Sequence, residues 1–130
     1  MRSGTEVNQN RSVAILVVED DLIFQQVISL GLKSYGYSVA TAENGMTGLE
    51  LVGYGKFDLI LTDLLMPVMD GLDFATQLKE SALTRDIPIV LMSGRKLEVR
   101  FDDESVFAAM LTKPFSLEEL VKVIEEFTPE

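Results

Sequence analysis

Val13-Ala14-Ile15-Leu16-Val17-Val18 is an unbroken apolar run, rich in β-branched side chains, that stops abruptly at Glu19-Asp20-Asp21. A strand with one face in water alternates apolar and polar side chains, whereas a run with no polar position needs cover on both faces. The stretch therefore reads as an inner strand of a parallel sheet. Beyond the acids, Phe24, Val27, Ile28, Leu32 and Tyr35 recur at helical spacing as far as Gly36. Glycine ends helices because it adopts the left-handed backbone of a C-terminal cap at no steric cost. Strand, acidic turn, helix and glycine stop make one unit of an α/β fold.

The unit repeats along the chain. A strand near Tyr37–Ala42 is followed by a helix over Gly45–Tyr54, and a strand over Phe57–Thr62 leads through Asp70 to a helix over Gly71–Glu80. An apolar strand covers Ile87–Met92 and a short one Ala109–Thr112. Ser116 opens the last helix, with Glu119 placed three residues later as a capping box and Leu117, Leu120, Val121 and Ile124 as its apolar stripe. Between the fourth and fifth strands, Arg95 to Phe107 breaks the pattern: Leu97, Val99 and Phe101 alternate with period two, so the helix expected there has no periodicity behind it. The alternation predicts an α/β fold, an open parallel five-stranded sheet with helices on both faces and right-handed crossovers. Among such folds the flavodoxin-like strand order 2-1-3-4-5 suits five strands in a chain of this size.

A length of 130 residues suits one domain with a continuous core. Met1–Arg11 is polar, without the apolar segment of a secretory signal, and reads as a flexible tail (1–11) before a folded domain (12–130). No apolar run approaches the length that crosses a bilayer, so the expectation is a soluble, cytoplasmic protein. Without cysteine there is neither a disulfide framework nor a thiolate metal site, and without histidine there is no catalytic imidazole, no histidine-ligated zinc and no phosphohistidine donor. A net charge of −10 with no basic patch argues against direct contact with nucleic acid or an anionic membrane.

In open α/β sheets the site lies beyond the carboxyl ends of the strands. Glu19-Asp20-Asp21 follows the first strand, Asp63 the third, Ser93 the fourth and Lys113-Pro114 the fifth. In the order 2-1-3-4-5 these groups converge on one rim. Two carboxylates about 5 Å apart at an effective dielectric of about 20 repel by roughly 3 kcal/mol, so a cluster of three calls for a cation. All-oxygen ligands point to a hard divalent ion, Mg²⁺ where a phosphate oxygen completes the shell. Lys113 suits a phosphoryl oxygen, Ser93 can donate to another, and a carboxylate is left as the nucleophile for in-line phosphoryl transfer.

Val17-Val18-Glu19-Asp20-Asp21, Leu61-Thr62-Asp63-Leu64-Leu65-Met66-Pro67-Val68-Met69-Asp70-Gly71, Met92-Ser93-Gly94 and Leu111-Thr112-Lys113-Pro114-Phe115 together resemble the receiver domains of two-component response regulators. The resemblance spans Val13 to Phe127. Any one motif is weak alone; four in order and in strand context are specific. The resemblance implies that Asp63 is the phosphoacceptor, charged by a sensor histidine kinase or a histidine phosphotransfer protein in a phosphorelay. It implies that Glu19, Asp20, Asp63 and the backbone carbonyl of Leu65 hold Mg²⁺, directly or, for Glu19, through water. Ser93 becomes the switch hydroxyl, Lys113 the lysine that pairs with the phosphoryl group, and Pro114 follows a cis peptide. Such a domain is regulatory, catalysing only its own phosphorylation and dephosphorylation. Monomer and homodimer both remain open, as do a stand-alone regulator, a part of a longer protein and a relay intermediate.

Each residue also has an ordinary role. The acids after the first strand, Asp21 above all, suit a helix cap; Asp70-Gly71 suits a turn and cap; Ser93-Gly94 suits a loop; Lys113 suits solvent and Phe115 the core. Their convergence favours the chemical reading. Two departures from the family pattern stand out: Met110 where an aromatic switch residue is usual, and Val106-Phe107 where the helix before the fifth strand usually ends in Gly-Ala. Both leave room for a degenerate receiver that binds proteins without phosphorylation. A haloacid-dehalogenase-type phosphatase needs a second Asp where this chain has Leu65. Leu65 cannot orient a hydrolytic water and Arg95 is long enough to cover the phosphoryl group, so slow self-dephosphorylation is expected.

Overall fold

Parallel pairing sets β2 (Ser38–Ala42), β1 (Ala14–Val18), β3 (Leu59–Asp63), β4 (Ile89–Ser93) and β5 (Ala109–Thr112) side by side in one sheet, in the order 2-1-3-4-5. The structure is a computed structural model and describes residues 12–94 and 106–129. Four helices are described: α1 (Leu22–Ser34), α2 (Gly45–Tyr54), α3 (Gly71–Glu80) and α4 (Leu117–Phe127). None is long and apolar enough to cross a membrane. The predicted flavodoxin-like architecture is the observed one.

The unbroken apolar runs are covered on both faces. Successive side chains of a strand point to opposite sides of the sheet. Ile15, Val17, Leu61, Val90 and Met92 meet Ile28 and Leu32 of α1 and Leu120, Val121 and Ile124 of α4. Leu16, Val18, Ile60 and Ile89 meet Phe74, Ala75 and Leu78 of α3, with Leu49 and Val52 of α2 alongside.

Polar residues at the element ends fix where each helix starts and stops. The Asp21 carboxylate accepts from the Ile23 and Phe24 amides at 3.1 Å each, Asn44 from Thr47 and Asp70 from Asp73. Ser116 and Glu119 close the expected capping box. Caps of this kind contribute about 1 kcal/mol each. At the end of α1, Gly36 has φ 97°, its amide donates to the Lys33 carbonyl, and the Tyr37 amide donates to that of Leu32. This is the Schellman arrangement, and it explains the stop at that glycine.

Two strands start later than expected, and α1 is apolar on both faces. Of the residues at helical spacing along α1, Val27 and Tyr35 are exposed. That helix carries apolar residues on its outer face as well, including Ile23 and Leu30, so periodicity alone does not separate the two faces. The third strand begins at Leu59; Asp58 before it is tied to the start of β1 twice, its amide donating to the Ala14 carbonyl and its carboxylate accepting from the Ala14 amide, at 2.8 Å each. The fourth begins at Ile89, just after Pro88, which has no amide hydrogen for the ladder. The helix expected before β5 and the 1–11 tail lie outside the described residues, apart from Val106 and Phe107, which pack against the core on the α2 and α3 side.

Candidate functional site at the carboxyl ends of the strands

Strand order brings the ends of β1, β3 and β5 to one rim. Glu19 follows β1 and is buried; its amide donates to the Ala42 carbonyl at 2.9 Å, extending the ladder with β2 by one bond. Its Oε2 accepts from the Asp21 amide at 3.0 Å, while Oε1 accepts from Lys113 Nζ at 3.0 Å. Lys113 Nζ also lies 3.5 Å from Asp63 Oδ2, and Asp63 Oδ1 accepts from the Leu64 amide. One ammonium group thus bridges two carboxylates from different strands. Asp20 is exposed at the mouth, and Glu19, Asp20 and Asp63 each present an oxygen within 4.8 Å of the others.

The electrostatics follow from burial. Desolvation is the largest influence on Glu19 and pushes its carboxyl above the ordinary value; the Asp63 charge adds to it, while the Asp21 amide and Lys113 oppose it. For Lys113, burial pulls down, but the hydrogen bond it donates to Glu19 and the charges of Asp63 and Glu19 outweigh it and hold the amine above its ordinary value. The lysine is the internal counter-ion of the cluster. Three carboxylates facing one amine still leave an excess of negative charge, in a donor set made only of oxygen, which fits a small hard divalent cation.

The surrounding backbone is closely built. Ser93 ends β4, is buried, and its carbonyl accepts from the Lys113 amide at 2.7 Å, so the fourth and fifth strands are tied together where they reach the site. The Lys113-Pro114 bond is cis, as the resemblance implies. Beyond Asp63, the Gly71 amide donates to the Leu64 carbonyl at 2.7 Å, and a Cβ at position 71 would collide with the Asp63 carbonyl oxygen. Between them Val68 has φ 71° in a γ-turn closed by the Met69 amide and the Pro67 carbonyl. Leu65 and Val68 project into solvent, and Met110, at the expected switch position, is 39% exposed. Arg95 lies outside the described residues.

The structure brings together Glu19, Asp20, Asp63 and Lys113, and places Ser93 and Leu65 on the adjoining strand end and loop. Two neighbours escaped the sequence reading. The Phe24 ring lies 4.4 Å from Lys113 Nζ, and buried Gln25 donates from Nε2 to the carbonyls of Glu19 and Ala42, joining the ends of β1 and β2. The available signal was their position in the first turn after the acids, the turn that faces the site.

The sequence model of the response regulator receiver domain matches residues 15–125. The chain belongs to the response regulator receiver family. Such domains are regulatory parts of two-component systems rather than conventional enzymes. Among similar curated proteins, the probable transcriptional regulatory protein of Picosynechococcus is 38% identical over 122 residues, covering 82% of this chain and 45% of that protein. The cyclic-nucleotide phosphodiesterase regA of Dictyostelium discoideum is 33% identical over 118 residues, covering 87% of this chain and 15% of that protein. The receiver thus spans less than half the length of either. Among solved structures, chemotaxis response regulator CheY4 of Vibrio cholerae superposes with a TM-score of 0.83 at 28% identity, covering 90% of this chain and 99% of that one. The receiver domain of sensor histidine kinase PA1611 of Pseudomonas aeruginosa, solved with a magnesium ion coordinated in its active site cleft, gives 0.82 at 27% identity, covering 92% of this chain and all of that one.

Proposed function

We propose that this receiver takes a phosphoryl group onto Asp63 from a phosphohistidine of a sensor histidine kinase or histidine phosphotransfer protein. An Asp63 carboxylate oxygen attacks phosphorus in line, the P–N bond breaks, and its electron pair returns to the imidazole, which is protonated as it leaves. Lys113 needs to shift only from the carboxylates to the new phosphoryl oxygens. Ser93, at the end of the neighbouring strand, is the hydroxyl that donates to another of those oxygens. Glu19, Asp20 and Asp63, with the Leu65 carbonyl, would hold Mg²⁺. When bound, the ion neutralises charge as the phosphoryl group approaches the acidic cluster. The gain of charge at Asp63, read through Ser93 and Lys113, shifts a pre-existing equilibrium of the outer surface toward a form that a downstream protein recognises.

The observation that carries the reading is the single Lys113 amine within 3.0 Å of Glu19 and 3.5 Å of Asp63, beside a third carboxylate. The acidic composition favours protein partners over nucleic acid, and a chain without cysteine is compatible with the cytoplasm. Intact mass after incubation with a small phosphodonor tests the proposal. One phosphoryl adduct is expected in the parent with Mg²⁺, and none in EDTA or in Asp63→Asn. An unmodified parent would leave a receiver that works only as a binding module.

A further inference from the structure

We propose that Phe24 is the positioning residue for Lys113, the face of its ring holding the ammonium group beside Asp63 throughout phosphoryl uptake. The inference rests on the phosphoacceptor reading of the site. Lys113 Nζ lies 4.4 Å from the ring centroid, inside the range of about 6 Å over which a ring face attracts a cation. Its other partners, Glu19 at 3.0 Å and Asp63 at 3.5 Å, are both carboxylates whose pairing changes when Asp63 is modified. The ring does not change. A lysine chain has considerable rotamer freedom to lose, and a neutral, non-directional partner restricts it while letting the charge slide from Glu19 toward new oxygens.

The ring is itself fixed from two sides. Phe24 occupies the third position of α1, where its amide is capped by Asp21, only four residues beyond Asp20. It meets Phe115 in an edge-to-face pair, with centroids 5.9 Å apart and planes inclined at 74°. Phe115 lies two residues after Lys113, so one aromatic pair joins the turn that carries the acids to the turn that carries the amine. Apolar packing alone would be satisfied by leucine; a contact with the ring face is not.

Two measurements separate these roles. In the unphosphorylated protein, the ε-methylene protons of Lys113 should resonate upfield in the ring current of Phe24 and return to ordinary positions in Phe24→Leu. With a saturating small phosphodonor and Mg²⁺, Phe24→Leu should take up the phosphoryl group about fivefold more slowly. Phe24→Trp should keep the parent rate. Replacing Phe24 by 3,4,5-trifluorophenylalanine, which keeps the size but weakens the negative ring face, should slow uptake as leucine does. Urea midpoints of the variants exclude loss of folding. The proposal is overturned by an unshifted Lys113, by a leucine variant as fast as the parent, or by a trifluorinated variant at parent rate. A parent that takes up no phosphoryl group sinks the phosphoacceptor reading instead, and the Lys113 resonance then decides by itself whether the ring holds the amine.

Discussion

Among the described residues Lys113 is the cation within the acidic cluster; replacing it by methionine removes that charge while keeping most of the apolar stem, and the cost can be worked from the structure. At 3.0 Å and 3.5 Å, and an effective dielectric of about 20, the gross attractions to Glu19 and Asp63 are about 5.5 and about 4.7 kcal/mol. Desolvation of the amine offsets much of this. Breaking a buried pair by removing one partner costs about 3–5 kcal/mol; the Lys113 side chain keeps 26% of its exposure and that of Asp63 15%, so a loss of about 2–3 kcal/mol is expected. Glu19 sets the pH dependence. Its carboxyl is held above the ordinary 4.5, burial being the largest cause. A group with a raised folded-state value stabilises fully below its unfolded value, and that contribution is lost as pH rises through the folded value. Without Lys113 the folded value rises further. The deficit should therefore be small near pH 4, full at pH 8 in EDTA, and partly restored by millimolar Mg²⁺. With no tryptophan in the chain, urea unfolding is followed by far-ultraviolet circular dichroism. Equal midpoints for parent and Lys113→Met at pH 8 in EDTA would refute the counter-ion argument.

Three further outcomes are expected. Gly71→Ala forces the start of α3 away from the Asp63 carbonyl, which should cost about 1–3 kcal/mol by overpacking and slow phosphoryl uptake; an unchanged midpoint would count against the contact. Val68→Gly should stabilise by about 1 kcal/mol, because a β-branched residue at φ 71° is strained by more than the extra freedom of glycine in the unfolded chain costs. A lower urea midpoint would contradict that. Leu65→Asn places a polar group two residues after Asp63 and should hasten loss of the phosphoryl group about fivefold, the worth of about one hydrogen bond to water; equal half-lives would contradict the expectation that Leu65 slows that loss.

Much of the fold was legible because covered strands leave a plain mark: Ile15–Val18 and Ile89–Met92 have no polar position to misread. Caps at Asp21, Asp70 and Ser116 and the stop at Gly36 are local signals, decided within a few residues. The spacing of Val27 did not decide its burial, because burial on α1 depends on what packs against it, and the outer face of that helix is apolar too. The strand starts were misplaced at Asp58 and Pro88, where a polar residue or a proline interrupts an apolar pattern. At the site, the carboxylates and Lys113 were identifiable because strand ends converge in this topology. Phe24 was not, since its contact with Lys113 joins segments far apart in sequence: its place in the first turn after the acids puts it near the site, but a helical stripe does not distinguish a ring that fills the core from one that faces an amine.

Capture of phosphorus by Asp63 is open to a direct chemical test. Borohydride reduces an aspartyl phosphate to homoserine, so peptide mass mapping after phosphodonor, Mg²⁺ and borohydride locates the acceptor. Homoserine at position 63 alone is the predicted result; homoserine at position 20 or 21, or none in a folded, Mg²⁺-saturated protein, would contradict it.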